Sequence, residues 1–355
     1  MKRATHSLIV KYTNIPEAMD AFSDLRQAWV RREPGSFILL YGESRVGKTT
    51  IVKQFCRQEQ ARILRETGRH AELYKYGLRL KDGPYGDERP IVYVDSPGER
   101  SLVSFSAELL QAYGTPVARS LKKSEILGRL RTQIEGQKTQ VLIIDDFQNA
   151  VPWNRGSVIH ELSELVKDLL EHTRVQMILS GLPYADIPLE RNEQLDGRCR
   201  DRLHVQPFPW ARPKAAGKSA RISRNAYQSY LEQFEAALAL PEPSNLADPD
   251  RAERIHKATG GLIGRTTRLL IRALEIGLKN DVLHISDKHL EMAYDRTKLT
   301  NDKSNPIVDD LDDTSSGYRA AVAGKTICDR MPIRLRGLAS DGPAAPTFAK
   351  NVRRN

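Results

Sequence analysis

A glycine-bounded loop followed by lysine and threonine is the segment of this chain whose residue types and spacing point most directly to chemistry. The glycines let successive backbone N–H groups turn inward around phosphate oxygens, and the start of the following helix adds partial positive charge. Lys48 is predicted to bridge the β- and γ-phosphates and Thr49 to hold Mg²⁺, with Thr50 as a second hydroxyl nearby. The loop therefore predicts a binding site for ATP. It reads Gly42-Glu43-Ser44-Arg45-Val46-Gly47-Lys48-Thr49-Thr50.

Two acidic residues after an apolar strand are candidates for metal binding and catalysis. The strand 141–144 ends in Asp145 and Asp146. In the pattern that accompanies a phosphate loop, an acid at this place coordinates Mg²⁺. We therefore expect Asp145 in the metal shell, and Asp146 to orient and deprotonate the attacking water. The alternative is a turn in which two acids simply end a strand.

Single polar residues later in the chain are further candidates for contact with the phosphates. Ser180 ends an apolar strand, where its hydroxyl could sense the γ-phosphate; the alternative is a serine that breaks the strand. Three arginines of residues 194–202 are expected just before the last strand. In ring or filament ATPases an arginine at this place reaches the nucleotide of a neighbouring subunit and stabilises transition-state charge. Arg198 is the first choice for this role and Arg202 the second; the alternative is a solvated arginine face. Arg265 and Arg268 follow a glycine-rich helix start and could contact the phosphates, or could be exposed basic residues.

The elements that position these residues alternate between strands and helices. Such alternation predicts an α/β domain with a parallel sheet flanked by helices on both faces. Strands are expected at 37–41, 91–95, 141–145 and 175–180, and helices at 17–29, 105–113, 124–135 and 158–172.

A change of composition at residues 207–213 marks a domain boundary. Helical patterns follow at 226–238, 248–259, 262–278 and 286–296, the last opened by Ser286 as N-cap, so a small all-helical domain is expected. Past residue 300 the chain becomes acidic and then rich in Gly, Pro and Arg, which is typical of a disordered tail; its short apolar island at 331–335 could dock on a partner. The predicted division is 1–35 as an N-terminal segment, 36–211 as the nucleotide-binding domain, 212–223 as a linker, 224–300 as the helical lid domain and 301–355 as the tail.

Composition narrows the possible partners and compartment. The chain has 355 residues, of which 40% are hydrophobic, and a formal charge of +10. Such a basic excess favours polyanions, nucleic acid before membrane, although it could serve solubility alone. The three cysteines show neither metal-ligand spacing nor a disulfide framework, and no apolar stretch suits a signal peptide or a bilayer span. We expect a cytoplasmic protein without membrane contact.

Several linked segments resemble AAA+ ATPases and, more narrowly, the TniB/TnsC family of transposition ATPases. The likeness extends over residues 8–298. The nucleotide motifs are widely shared, whereas Gly-Leu-Pro-Tyr-Ala, Pro-Phe-Pro-Trp and Gly-Gly-Leu-Ile-Gly in this order are more specific. The segments that carry the resemblance are 37–50, 92–97, 144–148, 181–185, Gln194-Leu195 with Arg198, 207–210 and 259–264.

This resemblance implies an ATP-dependent oligomer, a ring or helical filament on double-stranded DNA, that marks an insertion site and recruits or activates a transposase. By analogy its DNA-facing surface includes Lys122, Lys123, Arg129 and Arg131, whose phosphate contacts would be sequence-independent and salt-sensitive. The alternative is that these lysines merely solvate a helix start. Most relatives have Glu where this chain has Asp146, so hydrolysis could be slow or depend on an assembled neighbour.

Two other functions share the same nucleotide chemistry. A replication initiator or helicase loader would normally add a domain that reads DNA sequence, and a footprint at one defined sequence would favour it. A signalling ATPase switch would have no DNA role, and unchanged DNA mobility at low salt would favour that hypothesis.

Overall fold

The structure, a computed structural model, describes residues 14–83, 86–96, 102–115, 123–149, 156–186, 192–210, 218–279, 283–298 and 304–308. The described residues fall into two compact units. An α/β unit contains residues 17–42 and 48–204, and a helical unit contains residues 205–308 together with residues 14–16 and residues 43–47 of the phosphate loop. Within these ranges, every helix is too short or too polar to cross a bilayer.

A seven-stranded mixed sheet forms the centre of the α/β unit, in the order β2-β3-β4-β5-β6-β1-β7. The strands from β4 to β7 pair in parallel, whereas β2, β3 and β4 pair antiparallel. Strands β1, β5 and β6 are almost wholly buried apolar runs, as expected for parallel strands covered on both faces. The strands are β1 Phe37–Tyr41, β2 Glu72–Tyr74, β3 Gly77–Gly83, β4 Gly86–Asp95, β5 Val141–Asp145, β6 Gln176–Gly181 and β7 Cys199–His204.

The five parallel strands agree with the sheet expected from the sequence. The antiparallel strands β2 and β3 at one edge correct the expectation that the sheet is parallel throughout. The edge is not evident from the sequence because β2 and β3 are short, and their few apolar residues stand among Lys, Arg, Asp and Glu. Strands β2 and β3 lie within residues 72–83, where tyrosines and basic residues are interleaved. They form a hairpin whose Arg79 pairs with Glu72 at 2.7 Å.

Helices flank the sheet, and four of them lie within three residues of their predicted bounds. Their apolar residues recur at helical spacing; in α5, for example, Leu162, Leu165, Val166 and Leu169 are all buried. The helices of this unit are α1 Asn14–Val30, α2 Lys48–Thr67, α3 Leu102–Ala112, α4 Lys123–Gly136, α5 Gly156–Thr173 and the short α6 Glu193–Asp196.

The parallel register brings the ends of several strands to one edge of the sheet. Asp95 at the end of β4 lies opposite Asp145 at the end of β5. Ser180 near the end of β6 lies opposite Leu40 of β1. Open parallel sheets bind ligands beyond the carboxyl ends of their strands, so this edge is where a site is expected.

The helical unit contains α7 Lys218–Leu238, α8 Pro249–Thr259, α9 Ile263–Leu278 and α10 Asp287–Asp295. Ser286 caps α10 as predicted, forming a capping box with His289. Between α8 and α9, Gly261 has a φ of +69°, and a Cβ there would lie 2.2 Å from the carbonyl oxygen of Phe208. The N–H of Phe208 donates to the carbonyl of Gly261 at 3.0 Å, so this turn requires glycine.

Two segments of this unit correct the predicted boundaries. Helix α7 begins at Lys218, so residues 218–223 of the predicted linker are helical. Residues 304–308, assigned from sequence to the disordered tail, pack on the helical unit instead: Ile307 is buried, and Arg254 donates to its carbonyl at 2.6 Å. The remaining tail from residue 309, including the apolar island at 331–335, lies outside the described residues.

Candidate nucleotide site

The phosphate loop has the backbone that its glycines predict. Gly47 has a φ of +113° and Arg45 a φ of +67°, both in the left-handed region. Lys48 is buried, and its Nζ donates to the carbonyl of Gly42 at 2.9 Å, which folds the side chain back across the loop. A phosphate oxygen could replace that carbonyl as the acceptor, so the loop fits a nucleotide phosphate.

Asp145 and Thr49, the two predicted metal ligands, are in direct contact. Thr49 Oγ1 donates to Asp145 Oδ2 at 2.7 Å. The same carboxylate oxygen accepts from the hydroxyl of Tyr93 at 3.0 Å, and Asp145 is 2% exposed. Mg²⁺ prefers hard oxygen ligands and usually binds through one or two protein oxygens, phosphates and water. This hydroxyl–carboxylate pair therefore fits the ion, although no cluster of three or more metal-ligating side chains exists among the described residues.

Two residues of β4, missed in the sequence, complete the acidic edge. Burial and the neighbouring Asp145 raise the pKa of Tyr93, so this hydroxyl keeps its proton and donates to the carboxylate. Burial and repulsion from Asp146 and Asp145 raise the pKa of Asp95. The signal in the sequence is weak: both residues lie on one strand, two positions apart, and only the register with β5 shows what they face.

Asp146, the predicted base, is oriented by Gln148. Asp146 has a φ of +50°, which turns the chain away from the strand direction. Gln148 Nε2 donates to Asp146 Oδ1 at 3.0 Å, and Gln148 Oε1 accepts from the N–H of Leu182 at 3.0 Å. A Cβ on Gly181 would lie 2.8 Å from Gln148 Oε1, so glycine leaves room for this bridge. Gln148 thus links the predicted base to the end of β6.

Ser180 is fully buried in β6. Its exposed fraction is 0%, and its Oγ has no hydrogen-bond partner among the described residues. A buried hydroxyl without a partner is unusual and can mark a site that meets a ligand. In this conformation, however, the hydroxyl is closed to solvent, so its role toward a γ-phosphate stays a prediction.

The two candidate arginines for a neighbouring nucleotide pair with carboxylates of their own chain. Arg198 Nη2 lies 3.0 Å from Glu171 Oε1, and its Nη1 donates to the carbonyl of Gly35 at 3.2 Å. Arg202 forms an ion pair with Asp196. Because β7 begins at Cys199, Arg202 lies within the last strand and not ahead of it, which corrects the expected placement.

Helix α9 begins against the phosphate loop. The N–H of Gly264 donates to the carbonyl of Arg45 at 2.8 Å. A Cβ on Gly264 would lie 2.9 Å from that oxygen, so glycine permits the close approach. Arg265, in the first turn of α9, is partly buried, and Arg268 is exposed one turn later. The structure therefore brings the helix that carries both arginines to the loop.

Of the four residues predicted to face DNA, the structure describes the side chains of Arg129 and Arg131. Lys122 lies outside the described residues, and Lys123 begins α4 with a side chain that is not described. Arg129 is exposed. Arg131 donates through Nε to Asp168 Oδ2 of α5 at 2.9 Å and pairs with it through a second nitrogen. Their DNA role stays a prediction.

Comparison with known proteins agrees with this fold. Residues 31–187 match a family model described as an AAA domain, which spans less than half of the chain. A comparison with curated proteins found no match. The ORC2 protein of Aeropyrum pernix, in ADPNP–ADP complexes, gives a TM-score of 0.60 at 15% identity over 85% of this chain and 73% of that one.

Other solved structures with the same likeness are Cdc6p from Pyrobaculum aerophilum and the ORC1 protein of Aeropyrum pernix in complex with DNA. Cdc6p gives a TM-score of 0.59 at 15% identity over 85% of this chain and 72% of that one. The ORC1 structure gives a TM-score of 0.56 at 16% identity over 82% of this chain and 66% of that one. At these identities the likeness shows the fold alone. The chain has a P-loop AAA+ fold with a mixed seven-stranded sheet flanked by helices.

Proposed function

We propose that this protein is an ATP-dependent, DNA-binding regulator of transposition, which assembles with copies of itself on double-stranded DNA and recruits or activates a transposase. The observation that carries the ATP part is the contact between Thr49 and Asp145 beside the phosphate loop. A hydroxyl and a carboxylate in contact beside a phosphate loop support a nucleotide–Mg²⁺ site at this position.

The residues of the site have separate roles in binding and hydrolysis. Lys48 would neutralise phosphate charge, and Thr49 and Asp145 would hold a Mg²⁺ ion, which would stabilise negative charge on the phosphates. Asp146 accepts the proton of the attacking water, and Gln148 fixes the direction of its carboxylate. Because Asp146 is shorter than the Glu of most relatives, we expect slow hydrolysis, increased when Arg198 or Arg202 of a neighbouring subunit leaves its carboxylate partner.

The DNA part is supported by charge and by likeness. The chain carries a formal charge of +10, which favours a polyanionic partner. One structure of similar fold is of a protein in complex with DNA. The transposition part rests on the resemblance of residues 181–185, 207–210 and 259–264 to TniB/TnsC proteins.

Replication initiation or helicase loading is the second candidate. The observation in its favour is the similarity in fold to the ORC2 and Cdc6p structures. An initiator would protect one defined sequence in a footprint. A transposition regulator of the proposed kind would protect many sequences equally, because its contacts are to phosphates.

Electron microscopy of the protein on duplex DNA with a non-hydrolysable ATP analogue tests the proposal. We expect rings or helical filaments with the wild type and none with Lys48→Ala, because the variant loses a main phosphate contact. Arg65→Ala, an exposed change late in the same helix, is the matched control and should assemble normally. Identical single particles with and without nucleotide and DNA would contradict the proposal. In the same preparation, an integrase-type transposase encoded beside the gene should bind only the assembled form.

A further inference from the structure

A basic pocket lies on the helical unit, on the face of α9 that also meets the phosphate loop. Its volume is about 500 Å³, and four arginines line it: Arg45, Arg268, Arg272 and Arg296. We call it the arginine pocket. Among the described lining residues, only Arg45 belongs to the phosphate loop, and none belongs to the acidic strand edge with Thr49 and Asp145.

The charge of the arginine pocket is strongly unbalanced. In the part of the chain that the structure describes, one acidic residue lines it, Glu275, which pairs with Arg272 at 2.9 Å. Among the described residues, no carboxylate forms an ion pair with Arg45, Arg268 or Arg296. Three guanidinium groups therefore line the same space without an ion-pair partner among the described residues, an arrangement that favours an anionic ligand.

The geometry points to the phosphodiester backbone of nucleic acid as the ligand of the arginine pocket. Guanidinium groups match phosphate oxygens in a planar, two-point geometry. Arg268 and Arg272 follow each other at one helical turn, about 6 Å along α9, so the pocket presents a row of charges. One isolated phosphate would leave part of this row unpaired, whereas a strand of phosphates can meet all of it.

The other lining residues favour contact with the backbone over reading of bases. Thr267, Ile271 and Thr297 complete the wall, and none of the described residues that line the pocket is an aromatic on which a base could stack. Binding here should therefore be independent of sequence and strongly dependent on salt. This inference rests on the proposed DNA-binding function and places its phosphate contacts on α9, apart from the surface predicted around Arg129.

Arg45 connects the arginine pocket to the phosphate loop. Its side chain lines the pocket, while its carbonyl accepts the N–H of Gly264 and its backbone belongs to the loop around the nucleotide phosphates. A ligand that fixes Arg45 thus acts on a residue of the nucleotide site. DNA and nucleotide should strengthen each other's binding, and by the same factor.

The test is the salt dependence of binding to a short duplex of mixed sequence, with a non-hydrolysable ATP analogue present. For Arg268→Ala we expect the slope of log Kobs against log salt to fall by about 0.9, the value for one lost phosphate contact. Arg268→Lys should keep the slope. Lys288→Ala, an exposed change on α10 outside the pocket, is the matched control and should keep it too. Thermal melting checks that each variant is folded.

Other outcomes overturn the inference in distinguishable ways. An unchanged slope in a folded Arg268→Ala protein would overturn the pocket assignment and leave the proposed function standing. A weaker affinity of that variant for the nucleotide analogue without DNA would assign the pocket to the nucleotide instead. A chain ended after Val308 should bind DNA as the full chain does; tighter binding would indicate that the acidic segment 309–313 fills the pocket. Absence of DNA binding by the wild type at low salt would overturn the proposed function itself.

Discussion

Arginines in the two units of this protein differ in what they face. In the α/β unit, Arg131 and Arg198 each pair with a carboxylate of α5, Asp168 and Glu171. In the helical unit, Arg268 and Arg296 line a pocket and have no ion-pair partner among the described residues. Both groups look alike in the sequence, as basic residues near nucleotide motifs. What separates them is the position of acids on neighbouring helices.

This difference separates arginines that can bind a phosphate directly from arginines that must first leave a carboxylate. A paired arginine must leave its carboxylate before it can bind a phosphate, although an exposed ion pair contributes only about 0–1 kcal/mol. An unpaired guanidinium gains a partner at no such cost. The paired arginines therefore suit a contact made only in an assembly, as proposed for Arg198. The arginine pocket suits a contact with DNA that forms without breaking an ion pair.

The largest expected effect comes from a substitution that pushes the start of α9 away from the phosphate loop. Gly264→Ala would place a Cβ 2.8 Å from the Cβ and 2.9 Å from the carbonyl oxygen of Arg45. Since one of these neighbours is backbone, the loop must shift. We expect the affinity for an ATP analogue, measured by calorimetry, to fall about tenfold, or about 1.4 kcal/mol.

Gly128→Ala is the control for this change, because nothing lies within 4 Å of a Cβ there. It should leave nucleotide affinity unchanged and stabilise α4 by about 0.5–1 kcal/mol. Equal nucleotide affinity in both variants would show that α9 does not influence the loop.

A smaller effect is expected when a paired arginine is released. Asp168→Asn removes the carboxylate that holds Arg131 and one negative charge from α5. We expect DNA affinity at low salt to rise about threefold, equivalent to about 0.7 kcal/mol, and the rise to vanish in Asp168→Asn combined with Arg131→Ala. If the rise persists in the double variant, the released arginine is not its cause.

The smallest expected effect concerns the acidic edge. Burial and the neighbouring aspartates raise the pKa of Asp95, so the folded state holds this proton more tightly than the unfolded chain does. Stability then falls as pH rises through the raised pKa. In metal-free buffer without nucleotide, Asp95→Asn should melt at a higher temperature than the wild type at neutral pH. This difference should shrink as pH is lowered toward the ordinary pKa of an aspartate.

Asp20→Asn, an exposed change on α1, is the control for the melting experiment and should show no such pH dependence. A melting difference for Asp95→Asn that is constant between acidic and neutral pH would mean that its charge is not the cause.

Local patterns predicted the elements whose information is local. Strands β1 and β5 match their expected bounds because continuous apolar runs end at turn-forming residues. Thr49 and Asp145 were predicted as Mg²⁺ ligands from two local motifs, the phosphate loop and the strand that ends in an acid, and the structure shows them in contact. The N-cap of α10 could be predicted because a serine directly before a helical pattern is recognisable in the sequence, and Ser286 caps this helix.

What the sequence did not reveal depends on contacts between distant residues. The hydroxyl of Tyr93 reaches Asp145 only through the pairing of β4 with β5. Gln148 is important because it reaches Leu182 across two strand ends. The ion pairs of Arg131 and Arg198 depend on helix packing, which no local period encodes.

The central claim is that the binding of nucleotide and the binding of DNA are coupled through the phosphate loop. The most direct test is to measure the affinity for each ligand with and without the other. The affinity for a non-hydrolysable ATP analogue would be measured with and without saturating duplex DNA, and the affinity for DNA with and without the saturating analogue. We predict that each ligand tightens the other by the same factor, and that Gly264→Ala reduces both factors equally. Nucleotide affinity that is identical with and without DNA would contradict the account.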